Sequence, residues 1–148
     1  MKRLILIFGM AFLLISSNVF AAGTVSQSIT FVSKDMMQLV FTCTGDASDG
    51  SIEDTDTTDG RIYGMYIYRV IVENDSDDAD VTDDSDVYIL DAGGTDMLNG
   101  QGVDQLDDNT RNYIRPCRYE PIVGPLTLDV DNQSEASGVY TVTLIIGK

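Results

Sequence analysis

The sequence predicts an all-β protein, a single two-sheet antiparallel β-sandwich of about seven strands that follows an N-terminal signal peptide. Apolar residues recur with a period of two in several segments, and these segments are rich in β-branched and aromatic residues. Polar turn sequences separate the segments at short intervals. No segment carries an apolar stripe of helical period over the length that a helix needs. Together these observations favour strands in two packed sheets.

The N-terminus has the three parts of a secretory signal peptide. Lys2 and Arg3 form a basic start, residues 4–15 form an apolar run, and residues 19–21 form a cleavage site. The apolar run is shorter than the ~20 residues of a transmembrane helix. We therefore expect residues 1–21 to be removed. The mature protein is then exported, to the periplasm, the medium or an extracellular particle, and has no membrane contact.

Residues 22–148 are expected to form one domain. Its clearest strand is 126–131, where alternate apolar residues share one face. Residues 139–146 have one continuous apolar face and one face of mixed apolar and polar residues, which predicts a strand inside a sheet. Residues 61–73 also alternate with apolar residues on both faces, and they are predicted to form the central strand, with Gly64 at a β-bulge.

Four further strands are expected in the domain. They are residues 24–32, 37–44, 86–91 and 110–115. Residues 33–35 are predicted to join the first two as a hairpin. Residues 92–94 form a turn after the third, and the Gly-containing stretch from Met97 to Leu106 forms at most a short turn.

The acidic composition of the chain argues against binding to nucleic acid, and its lack of histidine argues against catalysis. The sequence has 24 acidic and 9 basic residues, a formal net charge of −15 and no histidine. An acidic surface repels phosphate backbones, so we expect no binding to nucleic acid. Without histidine, the commonest general base is missing. We therefore predict no enzymatic activity and no catalytic residues.

Two acidic loops are the only candidates for a cation site. They cover residues 46–59 and 75–86, and carboxylate clusters of this kind can supply the six to eight oxygen ligands that Ca²⁺ prefers. The other interpretation is a solvated surface that keeps the protein soluble. We assign no cofactor and no metal ligand, and leave calcium open as a possible ligand.

The chain has two cysteines, Cys43 and Cys117. An exported protein with an even number of cysteines normally pairs them. We expect a disulfide between these two residues.

Three stretches resemble a family of small, mostly uncharacterised proteins of the virion gene clusters of tailed bacteriophages and prophages. They are residues 39–51 (LVFTCTGDASDGS), 83–98 (DDSDVYILDAGGTDML) and 126–130 with 136–142 (LTLDV and ASGVYTV). The resemblance implies a β-sandwich virion component that acts through protein surfaces and has no catalytic residues.

The signal peptide supports a second interpretation, an exported subunit of a bacterial surface fibre or adhesion module. Such subunits polymerise when an extended segment completes the sheet of a neighbour. Residues 24–32 have no charge and no proline, and they come first in the mature chain. They either pair with another protein or pair within their own domain. In both interpretations the partners are proteins, and a homo-oligomer or larger assembly is expected.

Overall fold

A computed structural model of the chain describes residues 22–74, 81–82, 84–107, 111–116 and 119–148. Within these residues the chain forms eight strands and one short 3-10 helix. The strands are β1 (Thr24–Ser33), β2 (Met36–Thr44), β3 (Thr55–Asp56), β4 (Tyr66–Asn74), β5 (Asp86–Leu90), β6 (Arg111–Ile114), β7 (Thr127–Asp131) and β8 (Val139–Gly147). The all-β prediction is confirmed. The predicted signal peptide, residues 1–21, lies outside the described residues.

The strands form two antiparallel sheets. The larger sheet has the order β1-β2-β8-β4-β6, and the smaller sheet has the order β3-β7-β5. Phe41 and Leu144 of the larger sheet and Ile89 and Leu128 of the smaller sheet are fully buried in one apolar cluster. Since both sheets contribute side chains to a single core, the architecture is a β-sandwich.

Strand β8 is the centre of the larger sheet. It pairs with β2 on one side and with β4 on the other. Its inward side chains, Tyr140, Val142, Leu144 and Ile146, are all fully buried. The prediction that residues 139–146 lie inside a sheet is therefore correct, and the prediction that residues 61–73 form the central strand is wrong.

The segment at 61–73 is a strand only in its second part. A 3-10 helix covers Gly60–Ile62, and Gly64 adopts a left-handed φ of 77° in the turn that follows. Gly64 thus serves a turn, where its missing Cβ permits this φ, and not a β-bulge. The register irregularity lies between Ile67 and Arg69. Because it adds one residue to β4, Ile67 and Val70 both face the core.

The other predicted strands are found with small changes at their ends. The β1–β2 hairpin turns at residues 34–35, and residues 92–94 and 97–104 form turns. Only β3 was missed. It has two residues, Thr55 and Asp56, which pair with Leu128 and Thr127 of β7. A two-residue strand has no period that sequence analysis can detect.

Candidate interaction surfaces

Strand β1 is the longest edge strand in the described part of the chain. Its ten residues contain no charged side chain, and each is half-buried or exposed. One edge of β1 pairs with β2 along its whole length, from Thr24 opposite Thr44 to Ser33 opposite Met36. No strand among the described residues pairs with its other edge. The segment predicted at 24–32 therefore pairs within its own domain and also presents a free backbone edge.

A glutamine and two apolar side chains hold β1 in place. The Gln27 amide donates to the backbone carbonyl of Asp56 at 2.7 Å and accepts from the Thr58 amide at 3.2 Å. Val25 and Ile29 pack, half-buried, against the core. These contacts fix the inward face of β1.

The end of β1 exposes apolar side chains. Phe31 is 52% exposed and Val32 is 59% exposed. The Arg61 guanidinium lies 4.8 Å from the centre of the Phe31 ring, a cation–π contact. Asp59 holds Arg61 in turn through side-chain hydrogen bonds, which lower the pKa of Asp59 to about 2. A polar pair thus supports an exposed aromatic ring at the end of this edge.

The other strand edges are short or covered. Beside β5, the Met97 amide donates to the Ile89 carbonyl at 2.8 Å, and the Val87 amide donates to the Gly102 carbonyl at 2.9 Å. Strand β3 has only two residues and β6 only four, and Arg111 of β6 pairs with Glu73 at 3.3 Å. Short and covered edges protect natural sheets against pairing with other chains.

The predicted disulfide is not present, because Cys43 is a free cysteine. It is fully buried on β2, and burial raises the pKa of its thiol to about 12, against a smaller lowering by Tyr140. Strand β6 lies three strand spacings away, about 14 Å. Strand β6 also runs away from Cys43. Its last residue, Ile114, pairs with Val70, and Val70 lies opposite the same residue of β8, Leu144, as Leu39 of β2 does. A disulfide needs Cα atoms within about 7 Å. Cys117 itself lies outside the described residues.

Several described carboxylates of the acidic loops bind neighbouring groups of the chain. Asp46 accepts hydrogen bonds from the backbone and hydroxyl of Ser48, which lower its pKa. Asp49 accepts two such bonds from Ser51. In the described residues no group of three or more His, Cys, Asp or Glu side chains could hold a metal ion. Most of the second predicted loop, residues 75–80 and 83, lies outside them, so calcium stays an untested possibility.

A groove of about 460 Å³ lies on the outer face of the larger sheet. Tyr68, Arg69, Arg115 and Tyr119 line it, and Ile145 lies among them. The two tyrosine rings are 6.1 Å apart, and the Tyr68 hydroxyl donates to the Lys148 carbonyl at 3.0 Å. Sequence analysis did not identify this site. The one available signal was Arg69, a charged residue inside the segment 61–73, which is predicted to be apolar on both faces.

No protein-family model, curated protein or solved structure matches this chain. Among the described residues there is also no helix with the length and apolar character needed to span a membrane.

Proposed function

We propose that this chain is a non-enzymatic structural subunit that assembles with further copies of itself by pairing strands along the free edge of β1. The observation that carries the proposal is a ten-residue, uncharged edge strand in a chain with 24 acidic residues. The resemblance noted above makes a virion component of the phage or prophage type the first biological context. The predicted signal peptide favours the alternative, a subunit of an exported surface fibre.

The physical chemistry of strand edges supports this assignment. An edge strand presents unpaired N–H and C=O groups, and another strand can satisfy them by β-augmentation. Natural proteins usually prevent such pairing with charge, proline or a cover. β1 has no charged residue and no proline, and it carries a register irregularity only near its far end, between Phe31 and Ser33. The absence of histidine from the sequence is consistent with a role in assembly rather than catalysis.

The test blocks the edge with charge. Ser26 and Thr30 are exposed on β1, and the double substitution Ser26→Lys with Thr30→Lys places two lysines along the edge. Thr42 is exposed on β2 directly opposite Ser26, so Thr42→Lys adds charge on the same sheet one strand further in. Light scattering over a range of concentrations measures the size of the parent and of each variant.

The mature parent should associate to an extent that grows with concentration, because pairing with a second copy satisfies backbone groups along β1. The double lysine variant should lose the association through β1 and form smaller particles than the parent, whereas Thr42→Lys should assemble as the parent does. A parent that is monomeric at every concentration would contradict the proposal. So would equal assembly by the parent and the double variant.

A further inference from the structure

The outer faces of the two sheets carry opposite charge. The strands of the larger sheet contain Arg69 and Arg111 against a single carboxylate, Glu73. The strands of the smaller sheet contain no basic residue and four carboxylates, which are Asp56, Asp129, Asp131 and the largely buried Asp86. The outer faces of a sandwich point in opposite directions, so the molecule has one basic–aromatic side and one acidic side.

The two arginines of the groove have no carboxylate partner among the described residues. Within the described residues the salt bridges join Lys34 to Asp35, Arg61 to Asp59 and Arg111 to Glu73. Arg69 and Arg115 take part in none of them, and no acidic residue lines the groove. A guanidinium group stays charged at all ordinary pH values, and its planar fork matches a carboxylate. The groove is therefore suited to carboxylates supplied from outside the molecule.

The tyrosines and isoleucines of the groove make it more than a charged patch. The rings of Tyr68 and Tyr119 and the side chains of Ile71 and Ile145 give it apolar walls. Arg69 also lies 5.6 Å from the centre of the Tyr113 ring, which holds the guanidinium over the sheet. Ion pairs formed beside apolar walls are less exposed to water and to salt than pairs on an open surface.

The smaller sheet presents the matching carboxylates. Asp129 and Asp131 occupy alternate positions of β7, so both point outward and stand about 7 Å apart. Asp54 lies close enough to Asp129 for their two carboxylates to repel each other. Burial raises the pKa of the Asp129 carboxyl, and so do the charges of Asp54 and Asp131. This like-charge repulsion would be relieved by two cationic side chains.

We propose that the groove binds the acidic outer face of the smaller sheet of a second copy of this chain, with Arg69 and Arg115 paired to Asp129 and Asp131. The two surfaces differ and lie on opposite sides of the sandwich, so the contact is head-to-tail. A head-to-tail contact that does not close forms an open row of subunits. The inference rests on the proposed role in assembly and adds a second direction to it, through residues that are not part of β1.

The experiment uses the mature chain with Ser26→Lys and Thr30→Lys, which removes pairing along β1. In this background, one variant carries Arg69→Gln with Arg115→Gln, and the other carries Asp129→Asn with Asp131→Asn. Sedimentation velocity at low ionic strength measures the size of each variant and of their equimolar mixture. Far-UV circular dichroism verifies that each variant is folded.

The edge-blocked parent should form oligomers that dissociate as salt is added, because screening weakens exposed ion pairs. Each variant alone should be monomeric. Their mixture should form 1:1 dimers and nothing larger, since each partner retains one working surface. Arg111→Gln is the control, because Arg111 lies on the same face but already pairs with Glu73, and it should assemble like the edge-blocked parent.

A mixture that stays monomeric, or a groove variant that assembles as well as its parent, would overturn this contact. Its failure is separable from that of the proposed function. If the edge-blocked parent is monomeric while the unblocked protein assembles, the groove contact is wrong and the β1 proposal stands. If the mixture forms dimers but the substitutions Ser26→Lys and Thr30→Lys do not change the size of the oligomers, the groove contact stands and the proposed pairing along β1 is refuted.

Discussion

The outer edges of β1 and β5 differ, although both strands lie at the edge of an antiparallel sheet. Along β5, a returning segment supplies backbone partners, including the carbonyl of Gly102 for the amide of Val87. Along β1, ten uncharged residues have no second strand among the described residues. The described chain thus covers the edge of β5 and places no strand along the longer edge of β1, and the proposed assembly rests on this difference.

Specific residues build the cover over β5. Asp96 accepts hydrogen bonds from the amides of Leu98 and Gly100, at 2.9 and 2.7 Å, and so shapes the first turn of the segment. Gly102 then approaches β5 so closely that a Cβ atom would lie 1.8 Å from the Val87 carbonyl oxygen. Such residues protect an edge at the cost of a tightly constrained loop. In the described structure β1 has no counterpart to them.

The largest expected effect comes from removing the cover. Gly102→Ala forces the segment away from β5, because its Cβ atom cannot occupy the position of a backbone oxygen. We expect a loss of about 1–3 kcal/mol in the free energy of unfolding, the usual range for overpacked interiors. Urea denaturation measures the loss, and light scattering should reveal new association through the uncovered β5 edge.

Gly93→Ala is the matched control for this substitution. Its Cβ atom would meet only the side chain of Asp91, at 3.2 Å, which can shift slightly. The two alanine variants should therefore differ clearly in stability. If both unfold at the same urea concentration, Gly102 does not hold the cover in place.

A smaller effect is expected on the outer face of the sheet that contains β5. The raised pKa of Asp129 means that its contribution to stability is complete below the unfolded value, about 3.9, and is lost as pH rises through the folded value. Asp129→Asn should therefore raise the melting temperature at pH 7 by about 1–3 °C. The gain should shrink as the pH falls towards 4, because the raised pKa favours protonation of the wild-type carboxyl, which removes the repulsion.

Calorimetry at pH 7 and near pH 4.5 tests the sign of this effect. Asp59→Asn serves as the opposite control, because Arg61 lowers the pKa of Asp59 to about 2. Its stabilisation is fully present above the unfolded value and is lost only at lower pH. Asp59→Asn should lower the melting temperature at both pH values. A pH-independent gain from Asp129→Asn would exclude repulsion as its cause.

Local patterns in the sequence predicted most of the strands. Residues 24–32, 37–44, 126–131 and 139–146 alternate strictly or are apolar on both faces, and each forms a strand. The predicted start of the strand at residues 61–73 was wrong because the alternation of apolar residues continues through Gly64, where the chain turns with a positive φ. The alternation of apolar residues therefore predicted where the strands lie, whereas the positive φ of Gly64 keeps the start of β4 after the turn.

The order of strands and the sites were largely beyond sequence analysis. The central position of β8 depends on pairings between residues far apart, such as Phe41 with Val142, which no local pattern encodes. The expected disulfide was inferred from cysteine number and compartment, and neither describes the distance between β2 and β6. The groove was missed because Tyr68, Arg69 and Arg115 come together only when β4 and β6 pair.

Hydrogen–deuterium exchange of the mature protein at several concentrations tests the role of β1 most directly. In the monomer, every second amide of β1 faces away from β2 and should exchange quickly, whereas the Val87 amide of β5 is bonded to Gly102 and should be protected at all concentrations. As the concentration rises, we predict that the outward amides of β1 become protected while β5 does not change. Oligomers that form without any change in exchange along β1 would contradict the account.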